Sequence, residues 1–238
     1  DSERALELLE EYTGVPGRIQ MSYVFDFLSG DDLTAQRVVD VFAALQDLAP
    51  NAWPCWAMSN HDVVRHLTRW NLDEPAAKAY ATMMLCLRGS VCLYQGEELG
   101  LPEADLEFHE LRDPYGIEFW PEFKGRDGCR TPMVWDMGVN GGFSTSQPWL
   151  PVPHTHLQRT VVAQEADAQS MLHHYRWAIG LRRKHSALRA GSMRDMRADG
   201  PVLSFCRQDR AQTLRIRANL SDAEAGGLAP WQVQIIEG

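Results

Sequence analysis

Ser59-Asn60-His61-Asp62 follows directly on the apolar run Trp53-Pro54-Cys55-Trp56-Ala57-Met58, and Arg65 comes shortly after. A carboxamide, an imidazole, a carboxylate and a guanidinium so close together are enough to grip a polyhydroxylated ligand. A buried parallel strand that ends abruptly delivers such side chains to the mouth of a barrel. The same residues also read as a helix start, with Ser59 or Asn60 capping and His61 and Arg65 facing water. Taken alone, they leave both readings open.

The surrounding elements must position them. Ala5, Leu6, Leu9 and Tyr12 lie at helical spacing, with Gly14 expected to end the helix as a left-handed cap. Residues 19–28 suit a first strand, and Val38, Val41, Phe42, Leu45 and Leu48 form the core stripe of a following helix. Residues 55–58 make a second strand, with Pro54 tolerated at its start. A helix opening at Pro75 and closing at Gly89 leads to a third strand over residues 90–94. Strands alternating with helices over short connections mean parallel βαβ units, wound right-handed. Residues 95–167 then show no sustained periodicity, and a loop of that length inside a domain is usually functional. Met171, Leu172, Tyr175, Ala178, Ile179 and Leu181 define a last helix, with Arg182, Arg183, Lys184 and His185 in its final turns, where cations suit the helix dipole. Beyond Gly191, residues 202–206, 213–219 and 231–236 read as three antiparallel strands. Three parallel strands cannot close a barrel, so part of a barrel is expected, or a small open sheet.

Composition narrows the function classes. A formal net charge of -9 over 238 residues repels phosphate backbones, so nucleic acid is not an expected partner. Cys55, Cys86, Cys92, Cys129 and Cys206 are scattered and read as reduced thiols, which points to the cytoplasm. No metal-ligand spacing appears among the histidines, and neither a metal nor a cofactor is expected. No apolar run is long enough for a membrane span, so no membrane partner is expected.

Three motifs in order carry a resemblance: Ser59-Asn60-His61-Asp62, Tyr94-Gln95-Gly96-Glu97-Glu98-Leu99-Gly100 and Gly125-Arg126-Asp127-Gly128-Cys129-Arg130-Thr131-Pro132-Met133. With Gly142-Phe143-Ser144 and Pro148-Trp149-Leu150-Pro151, they resemble the C-terminal half of the alpha-amylase family of glycoside hydrolases, in its alpha-glucosidase and oligo-1,6-glucosidase branch. The resemblance implies an α/β fold: strands six to eight of a (β/α)8 TIM barrel over residues 1–190, then a small, incomplete antiparallel β domain over residues 191–238. It implies that Asp62 stabilises the transition state, with His61 beside it on the sugar. Arg130 resembles the family's arginine that reaches the same subsite. It reads equally as a loop-pinning partner of Asp127 or Asp136, and Arg126 has the same two readings. Arg65, Glu97 and Glu98 are read as mainly structural, while Tyr115, Phe119, Trp120 and Phe143 are candidates for stacking on a sugar.

In the family, the nucleophilic Asp follows strand four and the general acid Glu follows strand five, both ahead of the first strand here. Arg197-Ala198-Asp199 has a similar spelling but is expected in a turn. The chain is therefore expected to be a fragment, inactive alone, with the missing N-terminal barrel half as its partner and a short oligosaccharide or disaccharide as substrate. The expected activity is that of a retaining alpha-glucosidase on maltose, isomaltose or sucrose types of glucoside. Transglucosidases and sucrose isomerases share these motifs, and a catalytically silent sugar-binding or scaffold chain is the non-enzyme alternative.

Overall fold

The computed structural model describes residues 2–238, with backbone alone at 2 and 3. It divides into two compact units, one of residues 2–57, 75–92 and 177–238, the other of residues 58–74 and 93–176.

In the first unit, α1 (Ser2–Thr13) precedes β1 (Ser22–Val24), α2 (Ala35–Leu48) and β2 (Pro54–Trp56). The short α3 (His66–Arg69) belongs to the second unit, and α4 (Glu74–Cys86) and β3 (Ser90–Val91) follow it in the chain. The strands form a parallel sheet in the order β1-β2-β3, the arrangement that strand–helix alternation requires. β1 and β3 are shorter than their apolar runs: residues 25–28 turn away after Val24, and residues 93–94 leave the sheet beyond the Cys92 amide, which still bonds Trp56 O at 2.8 Å. Pro54 opens β2, where its missing N–H costs no ladder bond. The core is aromatic: Trp56 is fully buried, with the Phe27 and Phe42 rings each 4.8 Å from its own. Gly14 ends α1 without the left-handed cap, its amide bonding Glu10 O at 2.8 Å; the left-handed residue of that turn is Gly17.

In the second unit, the loop expected to lack periodicity contains the short helices α5 (Pro114–Glu118), α6 (His154–Leu157) and α7 (Val161–Glu165), besides single turns of 3₁₀ helix. Its apolar cores are correspondingly small, one around Leu99, Leu101, Val134 and Leu172, another around Leu106, Leu111 and Leu150.

After α8 (Met171–Lys184) and α9 (Ser186–Ala190) come four antiparallel strands in sequential order. These are β4 (Ser192–Asp199), β5 (Val202–Gln208), β6 (Thr213–Asn219) and β7 (Val233–Glu237). The sheet thus has four strands rather than three, and Arg197-Ala198-Asp199 lies in β4, not in a turn. That strand escapes a sequence reading because it is polar and mostly exposed, and its register shifts between Arg194 and Arg197.

Two arginines, Arg207 buried and Arg182 half-buried, close the end of α4. Helix ends leave carbonyls without partners, and cations suit that end of the dipole. Arg182 donates to Leu85 O (2.6 Å), Leu87 O (3.0 Å) and Gly89 O. Arg207 donates to Cys86 O at 2.7 Å, and also to Gly191 O and Ser192 O. The basic turn at Arg182 therefore serves α4 as well as its own helix. Gly89 is required here: at φ +123°, an added Cβ would stand 2.6 Å from Pro54 O. Replacing Arg207 by Met keeps the volume but strands three carbonyls, which should cost about 3 kcal/mol or more. Urea unfolding at neutral pH checks this, and a loss under about 1 kcal/mol would contradict it.

Candidate active site

The residues that could do chemistry meet in the second unit. Beyond β2 the chain is pinned by its own side chains. Ser59 Oγ accepts the His66 amide and lies 2.9 Å from His66 Nδ1, while Asn60 Oδ1 accepts the Asp62 amide at 2.8 Å. Neither residue is the N-cap of α3, which is Arg65, although Ser59 Oγ takes the amide of the helix's first residue. The turn leaves His61 and Asp62 exposed and puts Arg65 in the interior.

Asp62 is held by two cations. Its Oδ1 accepts from Arg126 Nη1 at 2.9 Å and from Arg130 Nη2 at 3.1 Å, and Oδ2 lies 3.4 Å from His61 Nε2. Arg130 also donates through Nε to His61 O at 2.7 Å, so one guanidinium fixes both the carboxylate and the backbone of its neighbour. The carboxylate partner of Arg130 is Asp62; Asp127 and Asp136 bind backbone amides instead. His61, Asp62, Arg126 and Arg130 thus converge.

Sequence reasoning missed Asp113 and the role of Asp127. The Asp113 side chain is fully buried and takes Arg126 Nε on Oδ2 (2.9 Å) and Nη2 on Oδ1 (3.0 Å). The Arg126 side chain holds its carboxyl down to about 2. Asp127 Oδ2 accepts the amides of Arg112 (2.6 Å) and Asp113 (2.7 Å), which sets the loop that carries Asp113. The Asp113-Pro114 dipeptide opens α5, with Asp113 capping it through the Tyr115 amide. Nothing in that dipeptide shows a partner thirteen residues away.

Arg65 acts as a structural clasp, with Nη1 on Gln95 O at 2.7 Å and Nη2 on Cys129 O at 2.9 Å. The Glu97-Glu98 pair does not converge on one point: Glu97 is buried, while Glu98 Oε2 accepts the Gly96 amide. Among the four aromatic candidates, Tyr115 and Phe119 stack on one another at 6.5 Å and Trp120 packs on Phe108 at 5.7 Å. Phe143 lines a cavity of about 470 Å³ with Arg130, Glu98, Trp135 and Trp149. Among the described residues, no cluster of three or more His, Cys, Asp or Glu side chains is placed to hold a metal.

Comparison with known proteins gives this geometry its setting. The alpha amylase catalytic domain matches residues 24–191. The chain belongs to the alpha-amylase family. It is 48% identical to a probable alpha-glucosidase of Rhizobium meliloti (strain 1021) over 94% of this chain and 42% of that protein. It is 31% identical to an oligo-1,6-glucosidase of Heyndrickxia coagulans over 91% of this chain and 46% of that protein. A crystal structure of an alpha-glucosyl transfer enzyme, XgtA, superposes with a TM-score of 0.89 at 40% identity, covering 98% of this chain and 49% of that one. The chain spans about half the length of the relatives it matches. The parallel strands β1 to β3 are part of the alpha-amylase family's TIM barrel, and the antiparallel sheet is the β domain that follows it.

Beside the site lies a buried titratable group. Burial pushes the Glu97 carboxyl from 4.5 up to about 8, and burial, with the Arg69 and Arg65 cations, pulls His66 down to about 3. The folded chain therefore keeps a Glu97 proton that the unfolded chain releases above 4.5, and this stabilisation is lost as pH rises toward about 8. His66 acts oppositely, its contribution growing between about 3 and 6.5, so the Glu97 effect is clearest above 6.5. Glu103, raised to about 7 by burial, adds a smaller loss in the same direction. Glu97→Gln should lose less stability than the parent between neutral and alkaline pH. Thermal unfolding across that range checks it, and parallel profiles for the two proteins would contradict it.

Proposed function

We propose that this chain forms the sugar-holding half of a retaining, alpha-glucosidase-like glycoside hydrolase that acts on short alpha-linked glucosides. The observation that carries this reading is the Asp62 carboxylate, with Oδ1 clamped by Arg126 and Arg130 and Oδ2 facing the exposed His61. A carboxylate fixed on one oxygen can accept from adjacent sugar hydroxyls with the other. Those hydrogen bonds strengthen as the ring acquires oxocarbenium character, which is where a glycosidase must lower the barrier. Asp62 is the transition-state stabiliser in this reading, and His61, Arg130 and Arg126 bind substrate.

A retaining glycosidase also needs a nucleophile and a general acid flanking the scissile bond. We assign both to a further barrel half. Its seat is supported by β1 and β3 being the edges of the parallel sheet, and by exposed Ile19, Met21, Tyr23 and Phe25 along and beside β1. The five free cysteines support a reducing, cytoplasmic setting. Among the described residues, no helix is long and apolar enough to cross a membrane. A second reading, glucosyl transfer, is favoured by the 40% identity to an alpha-glucosyl transfer enzyme.

The test uses the complete polypeptide in which this chain occurs. Asp62→Asn should lower kcat on maltose, isomaltose or sucrose by about a hundred-fold or more, the scale of losing one strong transition-state contact, with Tm nearly unchanged. Arg130→Lys should lower kcat/KM, because a point charge cannot replace the fork. Normal turnover by Asp62→Asn would refute the assignment. Glucose as the main product supports hydrolysis, and a glucosylated acceptor supports transfer.

A further inference from the structure

The reading above leaves a fully buried carboxylate without a role. Asp113 sits outside the motifs that resemble the family, yet it makes the most extensive side-chain contacts near Asp62. Its Oδ2 accepts both the Arg126 amide (2.8 Å) and Arg126 Nε (2.9 Å), and its Oδ1 accepts Arg126 Nη2 (3.0 Å). Four groups thus immobilise Arg126: its own amide bond to Asp113, two guanidinium nitrogens on the same carboxylate, and the Tyr115 ring 5.4 Å from the guanidinium carbon. The third nitrogen, Nη1, meets Asp62 Oδ1 at 2.9 Å. Gly125 allows the approach: at φ +75°, its Cα lies so close to Gly116 that an added Cβ would stand 2.8 Å from Gly116 Cα and 3.0 Å from Asp113 Oδ2.

We infer that Asp113 is a positioning residue for the glucoside reaction, acting through Arg126 to fix the Asp62 carboxylate. The inference rests on the proposed function. A long arginine side chain on a loop has about 2 kcal/mol of rotamer entropy to lose when it is ordered. A buried bidentate partner removes that freedom in advance, so Nη1 waits at Asp62 before substrate arrives. Asp127 belongs to the same device, because its carboxylate holds the amides on either side of the Arg112–Asp113 bond. The order runs from a buried carboxylate to a loop, to a second buried carboxylate, to a guanidinium and then to the group on the sugar. Asp113 itself touches no substrate in this account.

Asp113→Asn keeps the size but turns an amide N–H₂ toward a donor of Arg126, and breaks the fork. In the complete polypeptide we expect kcat/KM to fall by about a hundred-fold, mostly in kcat, the scale reported for small displacements of positioned groups. In an Arg126→Ala background the same change should cost less than about two-fold, since the group it acts through is gone. A purely structural role would give equal losses in both backgrounds, and that result would overturn the inference. So would an unchanged kcat/KM in Asp113→Asn. If that variant does not fold, Asp113→Glu, which keeps the charge but displaces it by a methylene, takes its place in the same cycle. A crystal structure of the variant supplies a readout without turnover: Arg126 Nη1 should have left Asp62, and an intact contact would overturn the inference. A parent protein inactive on every glucoside would refute the proposed function, while the crystal structure would still decide whether Asp113 positions Arg126.

Discussion

A buried guanidinium holds the candidate site together. Arg65 is almost wholly removed from water, and burial lowers its pKa. Such a cation is tolerable only where acceptors surround it. Its two terminal nitrogens bind Gln95 O and Cys129 O, its amide binds Glu103 Oε2, and its charge lies 5.3 Å from the Tyr94 ring. Three segments distant in sequence are thereby fastened: the turn after Met58, the chain leaving β3, and the loop that carries Arg126 and Arg130. Without regular structure, a loop of this length has few backbone partners for its own amides and carbonyls. Side chains supply them instead, and Tyr94 OH adds a second bond to Cys129 O at 3.1 Å.

Charge is distributed by depth. The deepest carboxylates, Asp113 and Asp127, bind backbone amides and a guanidinium, and so serve as anchors. Glu97 is as deeply buried, and its neighbour at 3.9 Å is the His66 imidazole, which burial keeps neutral. Its raised pKa follows from that environment. Asp62, nearest the solvent, is the carboxylate with an oxygen left to offer a ligand. Adjacent acidic residues in the sequence, Glu97 and Glu98, are therefore less informative than acids that a fold brings to different depths.

Much of this was legible before the structure. The β2 segment, α2, α4 and α8 follow apolar periodicity that tertiary packing reinforces, and the motifs around His61 and Arg130 pointed to one site. Strand lengths were overread at β1 and β3, because apolar residues at the end of a parallel strand look the same whether they stay in the ladder or turn into a loop. Strand β4 was missed because an exposed edge strand needs no apolar alternation. Asp113 and the capping of α4 by Arg182 and Arg207 lay beyond reach for another reason. Partners separated by thirteen to more than a hundred residues are set by topology and leave no local spacing to read.

The central claim is that Asp62, fixed on one side by two guanidinium groups, presents its other oxygen to a glucosyl ring. A crystal structure of the complete polypeptide with glucose bound tests this most directly. The account predicts two adjacent ring hydroxyls at about 2.7 Å from the Asp62 carboxylate, with Arg126 and Arg130 still on Oδ1. Glucose bound without contact to Asp62, or bound only where Arg126 and Arg130 have released it, would contradict the account.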